Sequence, residues 1–188
     1  MITVRLENDS YLYCDQEPYK KIHPPFFKKH LPGSKTFLTV QEVDQWFYSV
    51  EYKIAKSYLL FLLGRRDYLK KALVEKLSGK EISDKTSTKI LQEFERLGYI
   101  NDRRIVQSLI NKYQEKNSLK EIQSILFKKG VDYKQYSDLL STISKTTQEE
   151  AIKKLVAKKK DKDRRKLFSY LYRKGFETAL INAVLNEL

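Results

Sequence analysis

Proline vanishes from this chain after position 32, since Pro18, Pro24, Pro25 and Pro32 are its four, and six glycines serve all 188 residues. With so few helix breakers, the C-terminal four-fifths is expected to be helical. Cys14 is the only cysteine, which excludes an intrachain disulfide and a cysteine cluster for zinc and fits a reducing cytoplasm. Met1-Ile2-Thr3-Val4-Arg5 lacks a charged stretch followed by an apolar one, and Arg65-Arg66 lies too deep for a twin-arginine signal. The longest apolar run, Tyr58 to Leu63, falls far short of the roughly 20 residues of a membrane span. A cytoplasmic location with no membrane contact is therefore expected.

Catalytic signals are equally scarce. There are two histidines, and Cys14, His23 and His30 have no recognised metal-ligand spacing. No Gly-rich phosphate loop, nucleophile elbow or Ser-His-Asp order is present. The expectation is a non-enzyme with no metal and no cofactor.

What the chain does hold is positive charge and hydrophobic bulk. Thirty-seven Lys and Arg against 24 Asp and Glu give a formal charge of +13, and 41% of residues are hydrophobic, including 13 Tyr and nine Phe. Such a chain can bury a core, and its field attracts polyanions, so nucleic acid or an acidic protein surface is the expected partner. Solvation of helix faces would account for the same lysines without any partner.

Along the chain, Ile2, Val4 and Leu6 alternate, and so do Tyr11 and Tyr13, with Asn8-Asp9-Ser10 between them. This predicts a small N-terminal β-hairpin. Lys20 to Lys35, with three prolines, is expected to form a loop or short irregular cap. Helices should begin near Thr39, where Thr39 and Glu42 have capping-box spacing.

An internal repeat organises the rest. Leu77, Leu126 and Leu171 are each preceded four residues earlier by Leu73, Ile122 and Leu167, and followed thirteen and fourteen residues later by Ile90-Leu91, Leu139-Leu140 and Val184-Leu185. Positions four apart share one helix face, and a second helix after a short turn must present its own apolar pair to that face. Gly130 and Gly175 mark the turn in two copies. In the first, Ser78-Gly79-Lys80-Glu81-Ile82 keeps a glycine but reads as a longer turn.

Upstream of each pair lies a further helical apolar run, at Tyr58 to Leu63, at Ile105 to Tyr113 and at Ala151 to Val156. Each copy is thus a three-helix unit of about 45 residues, and such units form elongated modular arrays. The expected division is an N-terminal extension over 1–50 and three-helix repeats over 51–101, 102–145 and 146–188. The fold class is all-α, as tandem three-helix repeats with a small hairpin in front.

Three segments carry a family resemblance: the run from Leu62-Leu63-Gly64-Arg65-Arg66 to Glu75-Lys76-Leu77; Leu97-Gly98-Tyr99-Ile100-Asn101-Asp102; and Leu171-Tyr172-Arg173-Lys174-Gly175-Phe176 with Ile181 and Val184-Leu185. In order and spacing they resemble the RecX family over roughly residues 50–188. Leu69 and Ala72 stand where that family usually has Ser and Glu, and Asn101 where it has Asp. The resemblance implies a regulatory protein that binds RecA filaments on DNA and modulates strand exchange and co-protease activity.

Basic residues are the candidate contacts. Lys153 to Lys166 holds nine cations against two acids, enough to neutralise a row of phosphates. Within it Lys158, Lys159, Lys160, Arg164 and Arg165 are singled out. A cation also recurs six positions before each anchor leucine, as Lys71 (with Lys70 beside it), Lys120 and Arg165, which would lay a positive stripe along an array. Phe94, Tyr113, Phe127, Phe168 and Tyr172 fall at helical core spacing and are expected to be packed inside.

Two readings follow. One is a monomeric regulator of the RecA filament; the other is an autonomous, sequence-nonspecific nucleic-acid-binding helical module. Dependence on the recombinase separates them.

Overall fold

The computed structural model describes residues 1–7, 11–31, 33–159 and 163–187. The chain folds as two compact units, Met1–Asp102 and Arg103–Leu188.

The first unit opens with an antiparallel sheet in the order β3-β2-β1-β4, from β1 (Ile2–Glu7), β2 (Tyr11–Cys14), β3 (Glu17–Lys21) and β4 (Ser34–Phe37). The expected hairpin is present, with Val4 opposite Cys14 and Leu6 opposite Leu12. Its predicted Asn8-Asp9-Ser10 turn lies outside the described residues.

The sheet is larger than expected, and the proline-rich segment is not all loop. Asp15, at φ 55°, reverses the chain into β3, and its carboxylate accepts the Thr3 N–H at 2.8 Å. Pro18 sits on β3, an edge strand of the sheet, where a missing N–H costs no ladder bond. Pro24 starts the single-turn helix α1 (Pro24–Phe27), where its fixed φ suits the first helical position. Val4 and Leu12 bury one face of the sheet against Ile22, Phe27, Val43 and Phe47.

Helix α2 (Val40–Leu63) begins at Thr39, whose hydroxyl accepts the Glu42 N–H. It packs against α4 (Asp84–Arg96), which in turn packs against α3 (Lys70–Ser78), and all three feed one core. Glu51 of α2 is only 2% exposed. Its carboxylate accepts the Ser83 N–H at 2.9 Å and the hydroxyls of Ser83 and Thr86. Placed at the start of α4, a buried negative charge meets donors and the positive helix end together.

The second unit contains α5 (Asp102–Tyr113), whose first residue closes unit one, then α6 (Leu119–Lys128) and a 3-10 turn (Tyr133–Tyr136) leading into α7 (Ser137–Ser141). Helices α8 (Lys145–Ala157), α9 (Arg164–Arg173) and α10 (Thr178–Asn186) follow around a core of Ile152, Val156, Leu167, Leu171, Phe176 and Ile181.

All twelve repeat anchors are buried, none more than 7% exposed. The turns after the anchor leucines correct the sequence reading, because all three have one length. Ile82, Val131 and Phe176 each donate their N–H to the carbonyl of the leucine five residues earlier, at 3.2, 3.0 and 3.3 Å. The residue before each takes positive φ: Glu81 at 58°, Gly130 at 80°, Gly175 at 82°. Gly79, aligned with these glycines on sequence, is right-handed at φ −64°. A glutamate occupies the left-handed position in the first copy, and the glycine lies two residues early.

A second regularity lies at the start of α3 and α6. The N–H of Lys70 goes to the Asp102 carboxylate at 2.8 Å, and the N–H of Leu119 to Gln148 Oε1 at 3.1 Å. Both amides stand seven residues before an anchor leucine, and both acceptors lie in the first turn of a later helix, α5 and α8. Gln148 also donates to the Asn117 carbonyl, while Ser118, fully buried, donates to the Lys174 carbonyl at 2.6 Å.

Candidate polyanion-binding surface

Charge divides unevenly between the units. Residues 1–102 hold 17 Lys and Arg against 14 Asp and Glu, and residues 103–188 hold 20 against 10, so the second unit carries +10 of the formal +13. The sequence shows this only once the boundary is known.

The eight predicted cations fall into distinct settings. In unit one, Lys70 reaches Glu95 at 2.7 Å, whereas Lys71 is exposed. In unit two, Lys120 and Arg165 are exposed near the N-termini of α6 and α9. Lys120 also borders a cleft of about 340 Å³, together with Lys145, Gln148, Glu177 and Leu180. Lys158 ends α8 and is exposed. Lys159 places its ammonium 4.0 Å from the centre of the Tyr170 ring, which fixes the end of α8 against α9. Lys160 lies outside the described residues.

Arg164 has acquired a structural task. Its guanidinium donates to the Leu185 carbonyl at 2.8 Å and to Asn186 Oδ1 at 2.6 Å, closing the C-terminal end of α10, where a cation suits the helix dipole. Lys174, outside the predicted set, meets Glu121 at 2.8 Å, and this bond raises the lysine above its ordinary pKa.

The aromatic prediction holds in part. Phe94 is buried, and Phe168 packs against the core of unit two. Phe127 and Tyr172, however, are 71% and 60% exposed. Each directly follows an anchor leucine, and one residue along a helix turns about 100° away from the buried side. That offset was the available signal, and spacing relative to one another concealed it.

Cys14 lies half-buried on β2, and burial pushes its thiol up, away from the reactive thiolate. His23 precedes α1 and approaches Lys80 at 3.4 Å. Among the described residues, no three His, Cys, Asp or Glu are grouped to hold a metal. No described helix is long and apolar enough to cross a membrane. The surface of the second unit thus presents exposed cations at Lys120, Lys158, Lys159 and Arg165 and exposed rings at Phe127 and Tyr172.

Comparison with known proteins agrees with this architecture. Residues 147–185, which hold almost all of α8 to α10, match the family model described as the third three-helix domain of RecX. The fold is similar to a crystal structure of RecX from Lactobacillus salivarius, with a TM-score of 0.64 at 22% identity, covering 74% of this chain and 97% of that one. A crystal structure of regulatory protein RecX matches at a TM-score of 0.68 and 16% identity, over 99% of this chain and all of that one. In sequence, the regulatory protein RecX of Chlorobium phaeobacteroides is 28% identical over 133 residues, 68% of this chain and 88% of that protein. That of Caldanaerobacter subterraneus subsp. tengcongensis is 30% identical over 187 residues, 97% of this chain and 91% of that protein. A relationship running nearly end to end, together with the buried anchors and the third-domain match, places this chain in the RecX family of regulatory proteins.

Proposed function

We propose that this chain is a non-catalytic cytoplasmic regulator that binds RecA filaments on DNA as a monomer and restrains recombinase and co-protease activity. Its three-helix repeats, over 51–101, 102–145 and 146–188, would engage successive parts of the filament. The observation that carries the reading is the placement of charge: +10 lies in residues 103–188, with Lys120, Lys158, Lys159 and Arg165 exposed there. Phosphates attract such a surface without regard to sequence and release counterions on contact. Lys70, Lys71, Lys120, Lys158, Lys159, Lys160, Arg164 and Arg165 form the proposed contact set, Arg164 serving α10 as well.

The test is RecA ATPase and strand exchange on single-stranded DNA, with and without the protein. Inhibition at amounts well below one per RecA supports the reading. An effect that appears only when the protein coats the DNA, with equal binding to bare DNA, favours the autonomous nucleic-acid-binding module instead.

A further inference from the structure

Helix α9 is made of an uncommon mixture. Four of its ten residues are basic (Arg164, Arg165, Lys166, Arg173), three are aromatic (Phe168, Tyr170, Tyr172) and none is acidic. Leu167 and Leu171 point into the core. The exposed residues of the helix are cations, Ser169 and Tyr172, with no aliphatic side chain among them.

Tyr172 is exposed but held. Its ring lies parallel to that of Phe168 within 8°, centroids 6.3 Å apart, and Phe168 itself rests on the core. Arg165, Phe168 and Tyr172 stand three and four residues apart, so they share one face of the helix. On α6, the other anchor leucine of unit two is likewise followed by an exposed ring, Phe127, with Lys128 and Lys129 next in sequence.

A single exposed ring is ordinary, but one held in place by a second ring on a helix with four cations and no acid is suited to a partner, and the neighbouring charge limits what that can be. A partner's apolar surface would be met by aliphatic side chains, and burial beside it would strip water from Arg165 and Arg173. A DNA duplex offers phosphates but keeps its base faces stacked inside. An unpaired strand offers both phosphates and flat base faces, and rings set in a basic surface bind it through stacking.

We propose that Tyr172, backed by Phe168 and flanked by Arg165 and Arg173, is a stacking platform for unpaired bases of single-stranded DNA, with Phe127 as a second one on α6. The proposal rests on the polyanion-binding reading above and adds to it a preference for single strands. Because Phe168 fixes the ring beforehand, little order remains to be imposed on binding.

Fluorescence anisotropy of the full chain tests it, using a labelled oligodeoxythymidylate, a duplex of equal length and an abasic strand with the same phosphates. Wild type should prefer the oligodeoxythymidylate to both others. Tyr172→Ala should weaken that complex about fivefold or more, the effect of losing one stacked base, while duplex affinity changes less than about twofold. Phe127→Ala should act in the same sense, and Tyr172→Phe, which keeps the ring, should bind as wild type. Circular dichroism verifies that each variant is folded. Equal loss on strand and duplex, no loss on either, or abasic binding as tight as wild type on oligodeoxythymidylate overturns the platform alone. Wild-type protein that binds no DNA even at low salt overturns the polyanion reading beneath it.

Discussion

The Asp102 carboxylate accepts the main-chain N–H of Lys70 at 2.8 Å and thereby completes a helix whose own sequence leaves it uncapped. Leu69, at the N-cap of α3, has no side-chain acceptor, whereas Ser118 and Asp163 at the corresponding positions of α6 and α9 cap their own helices. Asp102→Ala should therefore lower stability by about 1 kcal/mol, a typical cost for a lost N-cap acceptor. Leu69→Ser in that background should recover part of it. Urea denaturation of the single and double variants measures both; an unchanged midpoint in Asp102→Ala would show that the bond adds nothing.

The left-handed Glu81 invites a cleaner comparison. At φ 58° any residue with a Cβ is strained, and its carboxylate also pairs with Lys21 at 2.8 Å. Glu81→Ala and Glu81→Gly both remove the ion pair, so their difference isolates the backbone. The glycine variant should be about 1 kcal/mol the more stable. Gly175 shows the converse, since a Cβ there would lie 3.0 Å from Lys120 Cβ as well as at φ 82°. Gly175→Ala should lower the melting temperature; equal stability of the two Glu81 variants would refute the account of these turns.

These positions also mark where the sequence could be read and where it could not. Aliphatic anchors at fixed spacing revealed the three-helix copies because every one of them is buried, and burial is what imposes that spacing. Glu81 was missed because left-handed geometry normally announces itself as glycine, and Gly79 two residues away drew the alignment. The third and fourth strands were hidden by Pro18 and by the Lys20–Lys35 prolines, which read as loop unless the strand is known to be an edge. Among the site residues, exposure of Lys71, Lys120 and Arg165 followed from their offset to the anchors. The bonds of Arg164 to Leu185 and Asn186 did not, for they join segments about 20 residues apart.

Stability should respond to pH through Tyr52 and Glu93. Hydrogen bonds from Tyr52 first and Lys56 second hold the Glu93 carboxyl below its ordinary 4.5, and the same bond with Glu93 pushes the Tyr52 phenol from 10 up to about 12. A depressed carboxylate stabilises the fold above its unfolded pKa and loses that contribution as pH falls through the folded value. A raised phenol does the reverse, contributing fully below pH 10 and less as pH climbs toward 12. Glu93→Gln should thus differ most from wild type between these limits, with the gap in melting temperature closing below about pH 4.5 and above about pH 10. A constant gap across that range would mean that neither group is coupled to folding.

Replacing Lys120, Lys158, Lys159 and Arg165 together with Gln should weaken DNA binding and flatten its salt dependence, because every phosphate that the variant leaves unneutralised takes nearly one unit from the slope. Arg164→Gln belongs apart from this set. Its bonds to Leu185 and Asn186 make loss of stability, of about 1 kcal/mol, the expected effect. Titrations at several salt concentrations decide the matter, and an unaltered slope in the fourfold variant would leave those cations as a solvated face.

Cutting the chain after Asp102 tests where function resides. Each unit has its own buried cluster: Leu73, Leu77, Ile90 and Leu91 with the sheet and α2 in the first, and Leu167, Leu171, Ile181 and Val184 in the second. Fragments 1–102 and 103–188 should therefore each unfold cooperatively. A cut after residue 145 is different, because it removes Gln148 from the Leu119 N–H and Lys174 from Ser118. It thus deprives the part-buried Leu119 N–H of its acceptor and the buried Ser118 hydroxyl of the carbonyl it donates to, both at the start of α6, so fragment 103–145 should melt well below 103–188. Since residues 103–188 carry +10 and residues 1–102 only +3, the larger part of the salt-dependent DNA affinity should remain with 103–188. Calorimetry and anisotropy on the three fragments supply the answer. If 1–102 retains the steep salt dependence and 103–188 loses it, the contact surface lies around Lys70 and Lys71, and the assignment to the second unit fails.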